Sequence, residues 1–177
     1  SFNMGISKEA FQATGGFGRI HPGEDPDLSI RLKEMGYHLH LIPEAFVFHK
    51  RRITLESFYT QVHKFGQARP ILNKWHPRTK RLTYWFPTFF TLGLMLSSVL
   101  STLGFHWFLV VYGLYFLAAL IGAFRASNNV IVAFLVLPAI LIQFFGYGFG
   151  FLKATLKLGL SSKNETQLFP HLFFRTQ

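Results

Sequence analysis

Two adjacent carboxylates, Glu24 and Asp25, stand in the stretch HPGEDPDLSIRLKEMGY at residues 21–37. A carboxylate within hydrogen-bond reach of a hydroxyl group can remove its proton as a general base. An acid at the start of a helix is also a common cap, and the helix dipole favours its charged form. The same two residues therefore fit a helix cap, a catalytic base, or both.

A helix is predicted directly after the acids. Asp25 has the position and residue type of an N-cap, and Pro26 suits the first helical position. Apolar side chains recur along the following stretch, and Gly36 is expected to end the helix. A cap therefore accounts for Asp25, but it leaves Glu24 without a structural reason.

The segments on either side of this helix predict a loop, two strands and a further helix. GGFG at residues 15–18 is a flexible loop whose backbone can approach a ligand closely. Residues 37–43, YHLHLIP, alternate like a strand, and AFVFH at residues 45–49 indicates a second one. From Thr54, TLESFYTQVHKFGQARPIL predicts a helix that runs along the membrane surface.

The second half of the chain is apolar. Of the 177 residues 22 are Phe, half are hydrophobic, and the formal net charge is +10. Three stretches lack Asp, Glu, Lys and Arg, and each is long enough to cross roughly 30 Å of hydrocarbon. We therefore expect a polar domain at residues 1–75, a basic linker at 76–84, membrane helices at about 85–103, 106–124 and 130–152, and a polar tail at 153–177.

The basic residues predict an orientation in the cell membrane. Lys and Arg cluster in residues 74–81, directly before the first span, which places the polar half on the cytoplasmic side. Three complete spans would put the tail, with Lys153, Lys157 and Lys163, on the opposite side and against the positive-inside rule. A re-entrant or interfacial segment is the alternative.

Glycines in the last span offer a place for helix packing. Gly146 and Gly150 are four residues apart, a spacing that lets another helix approach closely. Glycines are also common in membrane helices of every kind, and both interpretations stay open.

The order of the motifs resembles the C-terminal part of a family 2 glycosyltransferase with the GT-A fold. The series runs GGFG, GED with DLSIRLKEMGY, IPEAFVFHKRR, QVHKFGQAR and then membrane spans, and its motifs cover residues 1–75. The resemblance implies an α/β fold class: the C-terminal half of a GT-A, nucleotide-diphospho-sugar transferase domain, followed by an α-helical membrane region of about three spans. It also implies a truncated chain that lacks an N-terminal nucleotide-binding half and is inactive alone.

The resemblance assigns roles to the acids and to the loop. The acidic motif of the family matches Glu24 and Asp25, which implies that Asp25 first, or Glu24 second, is the general base. The glycine-rich loop would line the donor sugar, and it consists of Gly15, Gly16, Phe17 and Gly18. The C-terminal histidine of the family matches His49 and implies a ligand to a divalent cation, Mg²⁺ or Mn²⁺.

The family's QxxRW motif matches this chain imperfectly. Gln61, Lys64 and Phe65 occupy its positions, with Lys for Arg and Phe for Trp. Lys lacks the bidentate guanidinium fork, so the match does not imply processive synthesis. Binding of a diphosphate or a sugar remains implied, and Lys64 or Arg69 would stabilise the leaving diphosphate.

The resemblance implies a multi-pass membrane enzyme of polysaccharide biosynthesis at the cell envelope. It would move a sugar, with inversion, from a nucleotide-sugar donor to a lipid-linked or glycan acceptor among membrane lipids. A non-catalytic membrane scaffold or transport subunit with a cytoplasmic module is the alternative; spans without Asp, Glu, Lys or Arg count against an ion path. The membrane boundary explains the basic charge, so no nucleic acid is expected as a partner.

Overall fold

The computed structural model describes residues 3–48 and 54–174, and most of them are helical. The helices are α1 (Lys8–Ala13), α2 (Glu24–Glu34), α3 (Leu55–Trp75), α4 (Phe86–Thr102), α5 (Trp107–Ser127), α6 (Val130–Leu160) and α7 (Glu165–Leu168). Short 3-10 helices lie at Pro77–Thr79, Leu82–Trp85 and Pro170–Leu172. Three stretches are long and apolar enough to cross a membrane: Leu82–Thr102, Trp107–Ser127 and Val130–Leu160.

The predicted α/β half of a GT-A domain is wrong for the described residues. The residues predicted as strands, 37–48 in this part of the chain, form no ladder, and the single β-bridge joins Ile20 to Phe173. A lone strand gains no ladder hydrogen bonds, and it is not stable without neighbours. Apolar side chains of this segment are consequently exposed, Leu41 to 90% and Phe48 to 96%.

The N-cap of α2 lies two residues before the predicted cap. Gly23 is the N-cap, and its φ of 131° is a conformation that favours glycine. Asp25 therefore lies inside the first turn and not at the cap, which corrects the sequence prediction. The predicted end is confirmed, because Gly36 and Tyr37 donate their N–H groups to Lys33 and Leu32 at 3.0 Å in a Schellman arrangement.

Helices α3 and α6 pack directly against each other through glycines. A Cβ atom added at Gly66 would collide with the carbonyl oxygen of Tyr147, and one added at Gly150 would collide with that of His63. A Cβ atom at Gly146 would collide with a side-chain methyl group of Val62. The close helix approach that the glycine spacing offered is therefore present, and α3 is the helix that uses it.

The tail returns to the polar end of the molecule. Glu165 accepts hydrogen bonds from Lys74 Nζ at 2.8 Å and from Trp75 Nε1 at 2.7 Å. A buried core joins Ile20 to residues of α3, α6 and the tail: Ala68, Ile71, Ala154, Phe169 and Leu172. These contacts hold the segment before α2 in a fixed place against α3.

The apolar helices do not form a simple series of crossings. Thr88 donates to the carbonyl of Gly148 at 3.1 Å and Thr91 to that of Phe144 at 2.9 Å, so α4 runs antiparallel to α6. The start of α4 and the tail after α6 consequently lie at the same end. Three complete crossings would separate them, so this arrangement agrees with the alternative that one apolar segment does not cross.

Candidate active site

Glu24 is held in place by its neighbours, one of which, His21, lines a groove. Its Oε1 lies 2.9 Å from His21 Nδ1, and its Oε2 accepts the Gly23 N–H at 2.9 Å. Burial opposes the charge, but hydrogen bonds from its own backbone, from His21 and from Gly23 together hold the pKa of Glu24 below its usual value. The carboxylate is therefore charged, while the His21 side chain is 58% exposed.

The groove lies between this turn and one face of α3. Its volume is about 520 Å³, and its walls carry hydroxyl, amide and ammonium groups. His21 and Pro22 form one wall, and Thr54, Glu56, Ser57, Thr60, Gln61, Lys64 and Phe65 form the other. Helical spacing places the α3 residues together, and the Thr54 side chain caps this end of the helix by accepting the Ser57 N–H.

A second groove of about 350 Å³ lies on the adjacent face of α3 and shares two residues with the first, Gln61 and Phe65. Arg69 lies in its wall, and the guanidinium carbon sits 4.4 Å from the centre of the Tyr84 ring. Gln143 and Tyr147 of α6 complete it. The structure thus brings the predicted residues Gln61, Lys64, Phe65 and Arg69 onto neighbouring surfaces.

Asp25 and Asp27 occupy the first turn of α2 with Glu24, but they have different surroundings. Asp25 is half-buried, whereas Asp27 is only 5% exposed. Asp27 Oδ2 accepts Arg31 Nε at 3.0 Å and Nη2 at 2.8 Å, and its Oδ1 lies 2.9 Å from His76 Nε2. Asp27 therefore belongs to a buried polar cluster that ties α2 to the end of α3.

The glycine-rich loop is attached to the same cluster. Arg31 donates to the carbonyl oxygens of Thr14 and Gly16. Gly15 and Gly16 have φ values of 72° and 76°, which only glycine adopts easily. None of the four loop residues lines either groove, and Phe17 is exposed and packs edge-on against Phe11. The predicted contact of the loop with a donor sugar stays a prediction.

The predicted metal ligand His49 lies outside the described residues. Over residues 3–48 and 54–174, no group of three His, Asp or Glu side chains has an arrangement suited to a metal ion. His21 and Glu24 bring one imidazole and one carboxylate together, which is a partial donor set. The prediction of a divalent cation is therefore neither supported nor contradicted by these residues.

Sequence reasoning missed the cluster of Asp27, Arg31 and His76. Asp27 and Arg31 are four residues apart on one helix, a spacing typical of an ion pair. The sequence alone could therefore have predicted this part of the cluster. His76 is 49 residues from Asp27 along the chain and 7% exposed, so the contact depends on the tertiary fold. No local pattern could have indicated it.

Comparison with known proteins gives one match. A family model described as glycosyl transferase family group 2 matches residues 2–146, a range that includes both carboxylates, α3, α4, α5 and the first half of α6. No curated protein and no solved structure matches the chain.

Proposed function

The chain belongs to the glycosyltransferases of family group 2, and on that premise we propose that it transfers a sugar from a nucleotide-sugar donor to a lipid-linked or glycan acceptor at a membrane. The family match confirms the resemblance that the motifs of residues 1–75 indicated. The observation that carries the proposal is a groove lined by Gln61, Lys64, Phe65 and His21, with His21 Nδ1 2.9 Å from Glu24 Oε1. Glu24 belongs to the acidic motif, and Gln61, Lys64 and Phe65 occupy the positions of the QxxRW motif.

The acid pair supplies the base of the proposed reaction. The acceptor hydroxyl loses its proton to a carboxylate while its oxygen attacks the anomeric carbon, and the bond to the nucleoside diphosphate breaks. A carboxylate must be ionised before it can act as a base, and the lowered pKa of Glu24 meets this requirement. Asp25, next to it in the first helical turn, is the other candidate base. A single displacement of this kind inverts the anomeric centre.

Positive charge stabilises the leaving diphosphate. Lys64 lies in the wall of the first groove and Arg69 in the wall of the second, and Gln61 and Phe65 border both. Cationic groups placed where negative charge develops lower the barrier of phosphate-releasing reactions. A divalent cation would supply further charge, and among the described residues His21 and Glu24 offer it one imidazole and one carboxylate.

Blocking the groove tests the proposal. Transfer from a panel of nucleotide sugars would be measured with the protein in membranes, with and without Mn²⁺. Thr60 is exposed in the groove wall, and Thr60→Trp should lower the transfer rate roughly a hundredfold, since small misplacements of reactants cost that much. Thr166→Trp, at an exposed position of the tail, is the control. Equal rates in Thr60→Trp and wild type would place the reaction elsewhere.

A further inference from the structure

A basic pocket lies between α2 and the segment through which the chain leads into the first apolar helix. Its volume is about 600 Å³, and residues of α2 and of the segment before α4 form its walls. Four cationic side chains line it, Lys33, Arg69, Arg78 and Arg81, together with one carboxylate, Glu34. The pocket therefore carries a surplus of positive charge directly beside the membrane-capable part of the chain.

The cations of this pocket are available to a ligand. Lys33, Arg78 and Arg81 are exposed, and none of them forms an ion pair with another described residue. Glu34 faces His76 instead, with its Oε2 3.6 Å from the ring Nδ1. Arginine binds phosphate through parallel N–H donors, so two neighbouring arginines suit a phosphoryl group.

An apolar pocket of about 500 Å³ adjoins the basic one along the chain. Leu82, Thr83, Phe86 and Phe89 form it. Arg81 and Leu82 are consecutive residues, so one short segment lines a charged pocket with one residue and an apolar pocket with the next. Leu82 is 79% exposed although it is a large apolar side chain. A ligand with a charged head and a hydrocarbon chain matches this pair of surfaces.

We propose that the two pockets bind an anionic membrane lipid that ends in a phosphate monoester, with its phosphoryl group at Arg78, Arg81 and Lys33 and its chain along Leu82 and Phe86. Basic residues beside a membrane attract anionic lipid headgroups in general, and the apolar pocket adds a place for the chain. This binding does not depend on the proposed glycosyl transfer.

A binding experiment without any sugar donor tests the site. The purified protein in phosphatidylcholine nanodiscs would be titrated with a fluorescent polyprenyl monophosphate. Arg78→Gln combined with Arg81→Gln should weaken binding about tenfold or more, because charge-assisted hydrogen bonds to phosphate are lost. Arg19→Gln combined with Arg125→Gln removes the same charge at two exposed arginines that line neither pocket, and it should bind as wild type does.

Competition identifies the ligand chemistry. Leu82→Asn should weaken binding of the polyprenyl phosphate, and neither inorganic phosphate nor the corresponding polyprenol should displace it. Displacement by inorganic phosphate alone would show a site for free phosphate and overturn the lipid proposal. Displacement by oleate, a lipid anion without phosphorus, would show that the site does not require phosphate. If the control variant Arg19→Gln with Arg125→Gln lost as much affinity as the pocket variant, the loss would reflect net charge and would overturn the proposed site.

The two proposals fail separately. If Thr60→Trp leaves transfer unchanged but the arginine variant loses the lipid, the lipid site stands and the groove assignment falls. If transfer depends on the groove but the arginine variant retains the lipid, the lipid site falls and the transferase proposal stands.

Discussion

Two polar clusters extend from the first turn of α2, and they differ in burial. His21 lines a groove and is largely exposed, and its Nδ1 lies 2.9 Å from Glu24 Oε1. Asp27, three residues further on, is buried with His76 and is held by two hydrogen bonds from Arg31. Three residues turn a helix by about 300°, so Glu24 and Asp27 lie only about 60° apart around the helix axis. The difference therefore comes from their partners: Glu24 turns back to His21 and Gly23, whereas Asp27 contacts Arg31 and His76.

This difference in surroundings gives the two carboxylates different roles. A carboxylate whose oxygens are taken by buried partners stabilises the fold but presents nothing to a substrate. A charged carboxylate that is only half-buried can exchange a proton, and Glu24 meets both conditions. The presence of acids in a motif therefore does not give each of them the same role.

Replacing Asp27 should have the largest effect on stability. Asp27→Ala leaves the His76 and Arg31 side chains without their shared partner, and removing one side of a buried ion pair costs about 3 kcal/mol or more. The free energy of unfolding in detergent would be compared with that of Glu9→Ala, an exposed acid of α1. Similar stability of the two variants would mean that the buried cluster does not hold α2 against α3.

Substitutions where α3 packs against α6 should lower the free energy of unfolding by a smaller amount. Gly150→Ala places a methyl group against the His63 carbonyl, and such overpacking costs about 1–3 kcal/mol. Gly159→Ala, in the same helix with open space around it, should leave stability unchanged or raise it slightly. Thermal unfolding of the two variants measures the difference. A milder loss at Gly150 than at Gly159 would contradict the close helix contact.

The attachment of the tail should depend on pH. Burial opposes the charge of Glu165, but hydrogen bonds from Lys74 and Trp75 lower its pKa overall. Because the pKa is lowered in the folded state, the stabilisation is complete above the ordinary glutamate value and disappears as the pH falls through the folded value.

Glu165→Gln should remove this dependence and cost about 1 kcal/mol. Hydrogen exchange of the residues in α7 would report the release of the tail. Glu56→Gln, at an exposed glutamate of α3, is the matched control. If the Glu165 variant and wild type showed the same pH dependence, the attachment would rest on other contacts.

Local patterns predicted the helices well and the sheet poorly. The apolar helices and α3 were predictable because length, composition and the Thr54 cap are properties of neighbouring residues. Alternation in residues 37–43 indicates strand preference, but it cannot tell whether a partner strand exists. The structure gives this segment no partner among the described residues, and the predicted sheet is consequently wrong.

The site was predictable in part. The motif residues Gln61, Lys64 and Phe65 share one groove, as their helical spacing required. The N-cap was misplaced at Asp25 because a glycine in an unusual conformation starts α2 earlier, and a sequence pattern does not reveal φ. The contact between Asp27 and His76 depends on how α2 packs against α3, which no single segment encodes.

Three matched substitutions in one helical turn test the account most directly. Glu24→Gln, Asp25→Asn and Asp27→Asn each remove one charge, and sugar transfer and melting temperature would be measured for all three. We expect Glu24→Gln and Asp25→Asn to lower transfer about a hundredfold or more without unfolding the protein, and Asp27→Asn to lower the melting temperature. Wild-type transfer in both Glu24→Gln and Asp25→Asn would contradict the assignment of the base to this acid pair.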